Sequence, residues 1–302
     1  MGRFRSPASQ ARHAVSQNLA IGKPSHGQEN KDGKIHGLGS ARTHKDSLKG
    51  VAEYIAEMRI DPTGKGLTGI SSEVALQYLE FRAEQVGQKQ LDKDRQAIQI
   101  VMGAKLPVIK SELDQAIESR AYSHQQIDLI AQAQTRKHRL ATRIAESAGL
   151  RAHELLTLMR IEEREVSSHR TWGSERFAGM VNVQRYSVKG KGGLTREVAI
   201  ASELAALLEE CRLNQPKTVS DREIFYEQHY DLGGGKRWSD SFSKASKREL
   251  GWSCGAHGVR HTYAQARMLT LQNLGFQYAD ALAIVSQEMG HFRPEIVEVY
   301  LR

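Results

Sequence analysis

The chain has 302 residues, enough for two domains with cores of their own. Its 43 Lys and Arg against 35 Asp and Glu leave a net charge of +8, a balance that favours a polyanionic partner because surface cations displace counterions from phosphates. Only two cysteines occur, Cys211 and Cys254, in unrelated contexts, so neither a disulfide framework nor a metal-ligand spacing follows and a reducing cytosol fits. No apolar run approaches the roughly 20 residues a bilayer span needs, and the N-terminal arginines have no apolar stretch behind them, which excludes a secretory signal.

Residues 1–45 are rich in Gly, Ser, His, Gln and Lys, and nine Lys/Arg against three acids lie between Met1 and Gly50. Such a segment is too poor in large apolar groups to fold alone, so the expectation is a basic flexible arm, either lying along a polyanion or merely solvated. Order is expected from near Asp46, where Leu48, Val51, Ala52, Ile55 and Met58 recur at helical spacing. Asp61-Pro62-Thr63-Gly64 breaks that helix. Ser71-Ser72 caps a second helix through Val74, Tyr78, Phe81 and Arg82, and further helices are expected over 91–102 and 111–119. Residues 46–120 thus read as a small all-helical domain, followed by a linker at about 118–123.

From Ser123 the pattern is helical and polar, then mixed. A helix through Leu140, Ile144 and Ala148 ends at Gly149, and Leu155, Leu156 and Leu158 continue into another. Strand-like runs follow at 160–166, 180–188 and 196–200, with Gly190-Lys191-Gly192-Gly193 as the turn between the second and third. Helices are expected over 203–213, 238–250, 257–274 and 278–289, and after Pro294. The fold class expected is mainly α with a small antiparallel β-sheet (α+β), its second domain spanning 125–302.

Six side chains form one chemical set: Arg151, Lys191, His257, Arg260, His291 and Tyr300. A phosphodiester resists attack because it is already an anion, and its pentacoordinate transition state carries more charge. Arg151 and Arg260 offer planar, permanently charged donors to phosphate oxygens, and preorganised charge of that kind is often the largest catalytic contribution. His257 and His291 complete such a clamp. Tyr300 supplies an oxygen nucleophile that needs a base and cationic neighbours to attack at neutral pH. Lys191, on a Gly-flanked turn, is placed to protonate a leaving oxygen. With no carboxylate cluster for a metal, arginine in place of Mg²⁺ is coherent. Taken singly, each residue has an ordinary reading: a helix-start ion pair, a solvated hairpin lysine, surface histidines, a helix stop at Met289-Gly290-His291, a packed tyrosine. His153 and His261 are read as structural. The joint order Arg, Lys, His-x-x-Arg, His, Tyr carries the inference.

That order, with its local contexts, resembles the catalytic domain of the tyrosine recombinases, or phage integrases, across about 125–302. Arg151 follows Gly149-Leu150 and precedes Glu154-Leu155. Lys191 sits in a Gly-Lys-Gly hairpin, and His257, Arg260 and His261 match the His-x-x-Arg-His motif with Val259 where leucine is commoner. Met289 replaces leucine before Gly290-His291, and Tyr300 follows His291 by nine positions, as the family's nucleophile does. The segment 46–120 resembles the family's core-binding domain in position, size and helicity.

The resemblance implies a site-specific recombinase or integrase, of a mobile genetic element, in which Tyr300 attacks a DNA phosphate to give a 3′-phosphotyrosyl link and a free 5′ hydroxyl. Lys191 would be the general acid and His257 a general base, with Arg151, Arg260 and His291 stabilising the transition state. It further implies no cofactor, metal or ATP, two domains clamping duplex DNA, a homo-tetramer on two sites passing through a Holliday junction, accessory DNA-bending proteins as further partners, and a place in the bacterial cytosol or nucleoid. A type IB topoisomerase-like or resolving enzyme shares the chemistry; a non-catalytic basic DNA-binding protein is the reading of another class. Two stretches depart from the family pattern: an inserted polar segment at 167–177, and an extra turn at 271–278. The chain also stops two residues after Tyr300, where family members usually continue into a helix that docks on a neighbouring protomer, so a shortened sequence is expected.

Overall fold

A computed structural model describes residues 6–22, 33–60, 64–113, 119–190, 193–222 and 224–302. The chain divides into two compact units, Met1–Ala116 and Ile117–Arg302.

The first unit is helical. Helix α1 (Pro7–Gln17) starts at Ser6, whose side chain accepts from the Ser9 amide at 3.3 Å, with Pro7 at the first position where its missing N–H costs nothing. Helices α2 (Leu38–Met58), α3 (Ser72–Ala83) and α4 (Gln88–Met102) follow. Ala11, Ala14 and Val15 of α1 are buried in one cluster with Leu48, Val51 and Ala52 of α2, Tyr78 and Leu79 of α3, and Leu91 and Ile98 of α4. The expectation of a flexible arm over 1–45 is therefore corrected: the described part of that stretch forms α1 and the start of α2. The physical reason is that small alanines, on one face of a capped helix, let backbones approach closely without bulky apolar side chains. The first helix of this domain was expected near Asp46; α2 begins at Leu38. Inside the unit, Asp94 is 1 % exposed and accepts from Ser47, Arg82 and Gln90. Residues 111–113 are not helical, and most of the helix expected over 111–119 lies outside the described residues.

The second unit opens with α5 (His124–Gln132), set by a capping box between Ser123 and Gln126, and α6 (Arg136–Ala148). A single 3-10 turn, Glu154–Leu156, replaces the helix expected there. Strands β1 (Met159–Arg160), β2 (Val183–Lys189) and β3 (Thr195–Ala201) form an antiparallel sheet in the order β1-β2-β3. The β2–β3 register runs from Val183 opposite Ala201 to Lys189 opposite Thr195. After α7 (Ser202–Glu210) comes a second antiparallel pair that periodicity did not suggest, β4 (Arg212–Asp221) with β5 (Ile224–Tyr230). Its mostly exposed residues give β4 no apolar alternation to read. Helices α8 (Gly235–Leu250), α9 (Gly258–Asn273), α10 (Tyr278–Glu288) and α11 (Glu295–Glu298) complete the unit.

One core joins α5, α6, α8 and the β2–β3 sheet around Ile144, Val188, Ile200, Trp238 and Phe242. A second gathers α9, α10 and α11 around Tyr263, Met268, Val285, Met289 and Val297, and Tyr300 belongs to it. Among the described residues no helix is long and apolar enough to cross a membrane.

Candidate active site

Two chain reversals create the site. Helix α6 ends at Gly149, whose φ of 60° is left-handed and whose added Cβ would meet the Tyr263 ring at 2.5 Å, so only glycine fits before Leu150-Arg151. Helix α10 is followed by Gly290, with φ of 73° and Arg196 Nε 2.9 Å from where a Cβ would stand. Arg260, in the first turn of α9 and 0 % exposed, ties the two reversals together. Its Nη1 donates to the Gly149 carbonyl and its Nη2 to the Met289 carbonyl at 3.2 Å. The residues before Arg151 and before His291 are thus held by one guanidinium.

The side chains then converge on His291 Nε2. Arg151 Nη2, Arg260 Nη2 and the Tyr300 hydroxyl each lie 3.2 Å from it. Burial first, then the charges of Arg260 and Arg151, lower the His291 pKa to about 3, so the imidazole is neutral and Nε2 offers one lone pair to three donors. The Tyr300 ring packs 4.8 Å from that of His261, 5.5 Å from that of His257 and 5.6 Å beneath the Arg260 guanidinium. Tyr300 is 6 % exposed and its carbonyl accepts from Gln265 at 3.1 Å. Burial, followed by Arg120, lowers His261 to about 4. His257 is exposed as a residue, yet desolvation by the protein around it and then the Arg260 charge lower its pKa to about 3.

Behind the arginines lies Glu154, 0 % exposed. Its Oε1 accepts from Arg151 Nη1 at 2.8 Å, and its Oε2 accepts from the Arg151 amide and from Arg196 Nη2, each at 2.8 Å. Arg260 Nη1 stands 3.8 Å from Oε2. Burial alone would raise the pKa of this carboxyl; Arg196, Arg151 and Arg260 outweigh it and hold the group well below the usual carboxylate range. Arg260 itself is lowered to about 10, by burial and then by Arg151, and stays charged at neutral pH. Three guanidiniums therefore face one carboxylate, an excess of two positive charges among neutral histidines. Arg196 Nε and Nη1 and Arg260 Nε have no hydrogen-bond partner among the described residues. Buried charge without compensation is costly, so the arrangement suits an anion with several acceptor oxygens.

Of the six residues named from sequence, Arg151, Arg260, His291 and Tyr300 meet directly, and His257 stands beside Tyr300. Lys191 lies outside the described residues. Gly190, the last described residue before it, packs against Glu154, with Oε1 3.1 Å from where a Cβ would be. Sequence reasoning passed over Glu154, quoted in the motif without a task, and Arg196, read only as the start of a strand. A signal for Arg196 was present: it shares strand parity with Val198 and Ile200, which face the core. His261, read as structural, packs on the Tyr300 ring. Among the described residues no group of three or more His, Cys, Asp or Glu is arranged to hold a metal ion.

The sequence matches no protein-family model and no curated protein. Solved structures do match. The XerH site-specific recombinase bound to a palindromic difH substrate, in a post-cleavage complex, superposes with a TM-score of 0.59 at 12% identity, over 98% of this chain and 90% of that one. The Tn1549 transposon integrase in complex with transposon right end DNA gives 0.54 at 12% identity, over 99% and 95%. A lambda integrase dimer bound to a core site gives 0.52 at 14% identity, over 99% and 77%. With its helical first unit and its second unit of helices around a small antiparallel sheet, the chain has the fold of the tyrosine recombinases.

Proposed function

We propose that this chain is a site-specific DNA recombinase or integrase, of a mobile genetic element, that cleaves and rejoins double-stranded DNA through a 3′-phosphotyrosyl intermediate. The observation that carries the reading is the meeting of the Tyr300 hydroxyl, Arg151 and Arg260 at His291 Nε2, each at 3.2 Å. A phosphate presents several lone pairs where the imidazole presents one, so a scissile phosphate is a better partner for these donors. The two-charge excess behind them matches a phosphodiester that gains charge toward its transition state.

In this reading the Tyr300 oxygen forms a bond to phosphorus while the bond from phosphorus to the 5′ oxygen breaks. Lys191 protonates that leaving oxygen. The phenolic proton passes to a neutral histidine. His257 is the base implied by the motif, but the phenol hydrogen-bonds His291 in the free chain, so we assign its first acceptance to His291 and keep His257 as the neighbouring partner. The phosphotyrosine retains the bond energy, and a 5′ hydroxyl from a partner duplex reverses the step without ATP or metal. Four protomers on two DNA sites, with accessory DNA-bending proteins and a cytosolic or nucleoid location, complete the proposal.

The test is covalent trapping on a pool of nicked duplexes of randomised sequence, in which the nick lets the 5′ fragment escape. Wild-type protein should give a detergent-resistant protein–DNA adduct, and Tyr300→Phe should give none. No adduct from the wild type, or an undiminished one from the variant, would overturn the reading.

A further inference from the structure

Residues 167–177 interrupt the sheet between β1 and β2, and the constellation of six gives them no task. Their contacts are nevertheless specific. At the upstream end, Ser167 and Thr195 exchange hydrogen bonds: Ser167 N donates to the Thr195 carbonyl at 3.0 Å, and Thr195 N donates to Ser167 Oγ at 2.9 Å. Thr195 closes the β2–β3 hairpin opposite Lys189. Trp172 folds back, its Nε1 donating to the Ser167 carbonyl at 3.1 Å, and its ring meets Phe292 edge to face at 4.8 Å. Gly173 N donates to Gln287 Oε1 at 2.7 Å, and Phe177 N donates to Glu288 Oε1 at 2.8 Å. Arg176 stacks on Trp172 at 4.6 Å and pairs with Glu197 of β3 at 3.1 Å.

Gln287, Glu288 and Phe292 bracket His291. Glu288 is 1 % exposed and anchored from the other side by Arg267 and Tyr263 of α9. Phe292 holds a φ of 57°, a left-handed conformation that a bulky residue adopts only under constraint. Its ring is held by the Trp172 ring and by the Arg170 guanidinium, 5.1 Å from the ring centre.

We propose that residues 167–177 are a strap that positions His291: the segment is pinned to the β3 end of the hairpin and grips the chain on both sides of the histidine through Gln287, Glu288 and Phe292. Trp172 is its positioning residue. The strap does not touch the phosphate; it fixes the imidazole whose Nε2 faces Tyr300, and thereby links Thr195 of the β2–β3 pair to the loop that carries His291. This rests on the recombinase reading for its catalytic consequence, but not for its structural one.

The experiment follows both consequences in the full-length protein. Adduct formation rate and DNA affinity are measured on the nicked pool, and the imidazole resonances of His291 are followed by NMR with selectively labelled histidine. Trp172→Ala should slow adduct formation about tenfold or more, because small displacements of a catalytic group cost rate steeply, while DNA affinity stays within about twofold, as no phosphate contact is removed. The same variant should shift or broaden the His291 resonances and leave those of the exposed His13, on α1 of the first unit, unchanged. Trp172→Phe, which keeps an aromatic edge for Phe292, should restore most of the rate. Should Trp172→Ala fail to fold, Gln287→Leu carries the test, since it removes the acceptor for Gly173 N–H and leaves the strap's sequence intact. Unchanged His291 resonances, or a wild-type rate in both variants, would overturn the strap. If wild-type protein forms no adduct, the recombinase reading fails, and the His291 resonances alone decide the strap.

Discussion

The buried carboxylate of Glu154 shows how one residue sets the charge of the whole site. It neutralises one of three guanidiniums and orients two, through bonds of 2.8 Å to Arg151 and Arg196. Removing one partner of a buried ion network leaves the others uncompensated, so Glu154→Ala should lower stability by about 3–5 kcal/mol. Urea denaturation checks it, and a near-neutral result would mean that the arginines are solvated in solution. Arg151→Ala and Arg260→Ala should each slow cleavage by roughly 10²–10³-fold, as for the loss of one preorganised donor. Near-normal cleavage would remove them from transition-state stabilisation. The two histidines separate as well. His291 hydrogen-bonds the phenol and His257 does not, so His291→Ala should slow adduct formation more than His257→Ala; the opposite ranking would return the base role to His257.

At the scale of elements, the site depends on where helices stop. Gly290 ends α10 in the left-handed region, against Arg196. Gly290→Ala should therefore cost about 1 kcal/mol or more of stability, since alanine at a positive φ is strained, and should reduce adduct formation by displacing His291. Thermal melting and the trapping assay read the two effects together, and an unchanged melt would contradict the strain. This scale also shows what was legible in the sequence. Helix stops and motif residues were legible because glycines and spaced apolar residues write them locally. Helix α1 was not, because its buried face is made of Ala11, Ala14 and Val15, too small to stand out from a polar stretch. Nor was β4, whose outward residues lack alternation. Arg196 went unread because a charge in a core-facing strand position makes sense only once Glu154, 42 residues earlier, is seen beside it.

For the whole molecule, two bulk responses follow. Net charge of +8 and a cationic site predict that DNA affinity falls steeply with salt, as log K falls with log salt in proportion to phosphates neutralised. A flat response would count against a phosphate-binding surface. Stability should also depend on pH through the histidines. The folded pKa values of His291 and His261 lie at about 3 and about 4, below the unfolded 6.5, so the unfolded chain binds more protons in that window. Stability is full above about 6.5 and declines as pH falls toward 3. A melting temperature that rises on acidification from pH 6.5 to 5 would contradict neutral, buried histidines.

The most direct test of the central claim is to digest the trapped adduct and identify the DNA-linked peptide by mass spectrometry. The account predicts that the link lies on Tyr300 and joins it to a 3′ phosphate. A link on any other residue, or to a 5′ phosphate, would contradict it.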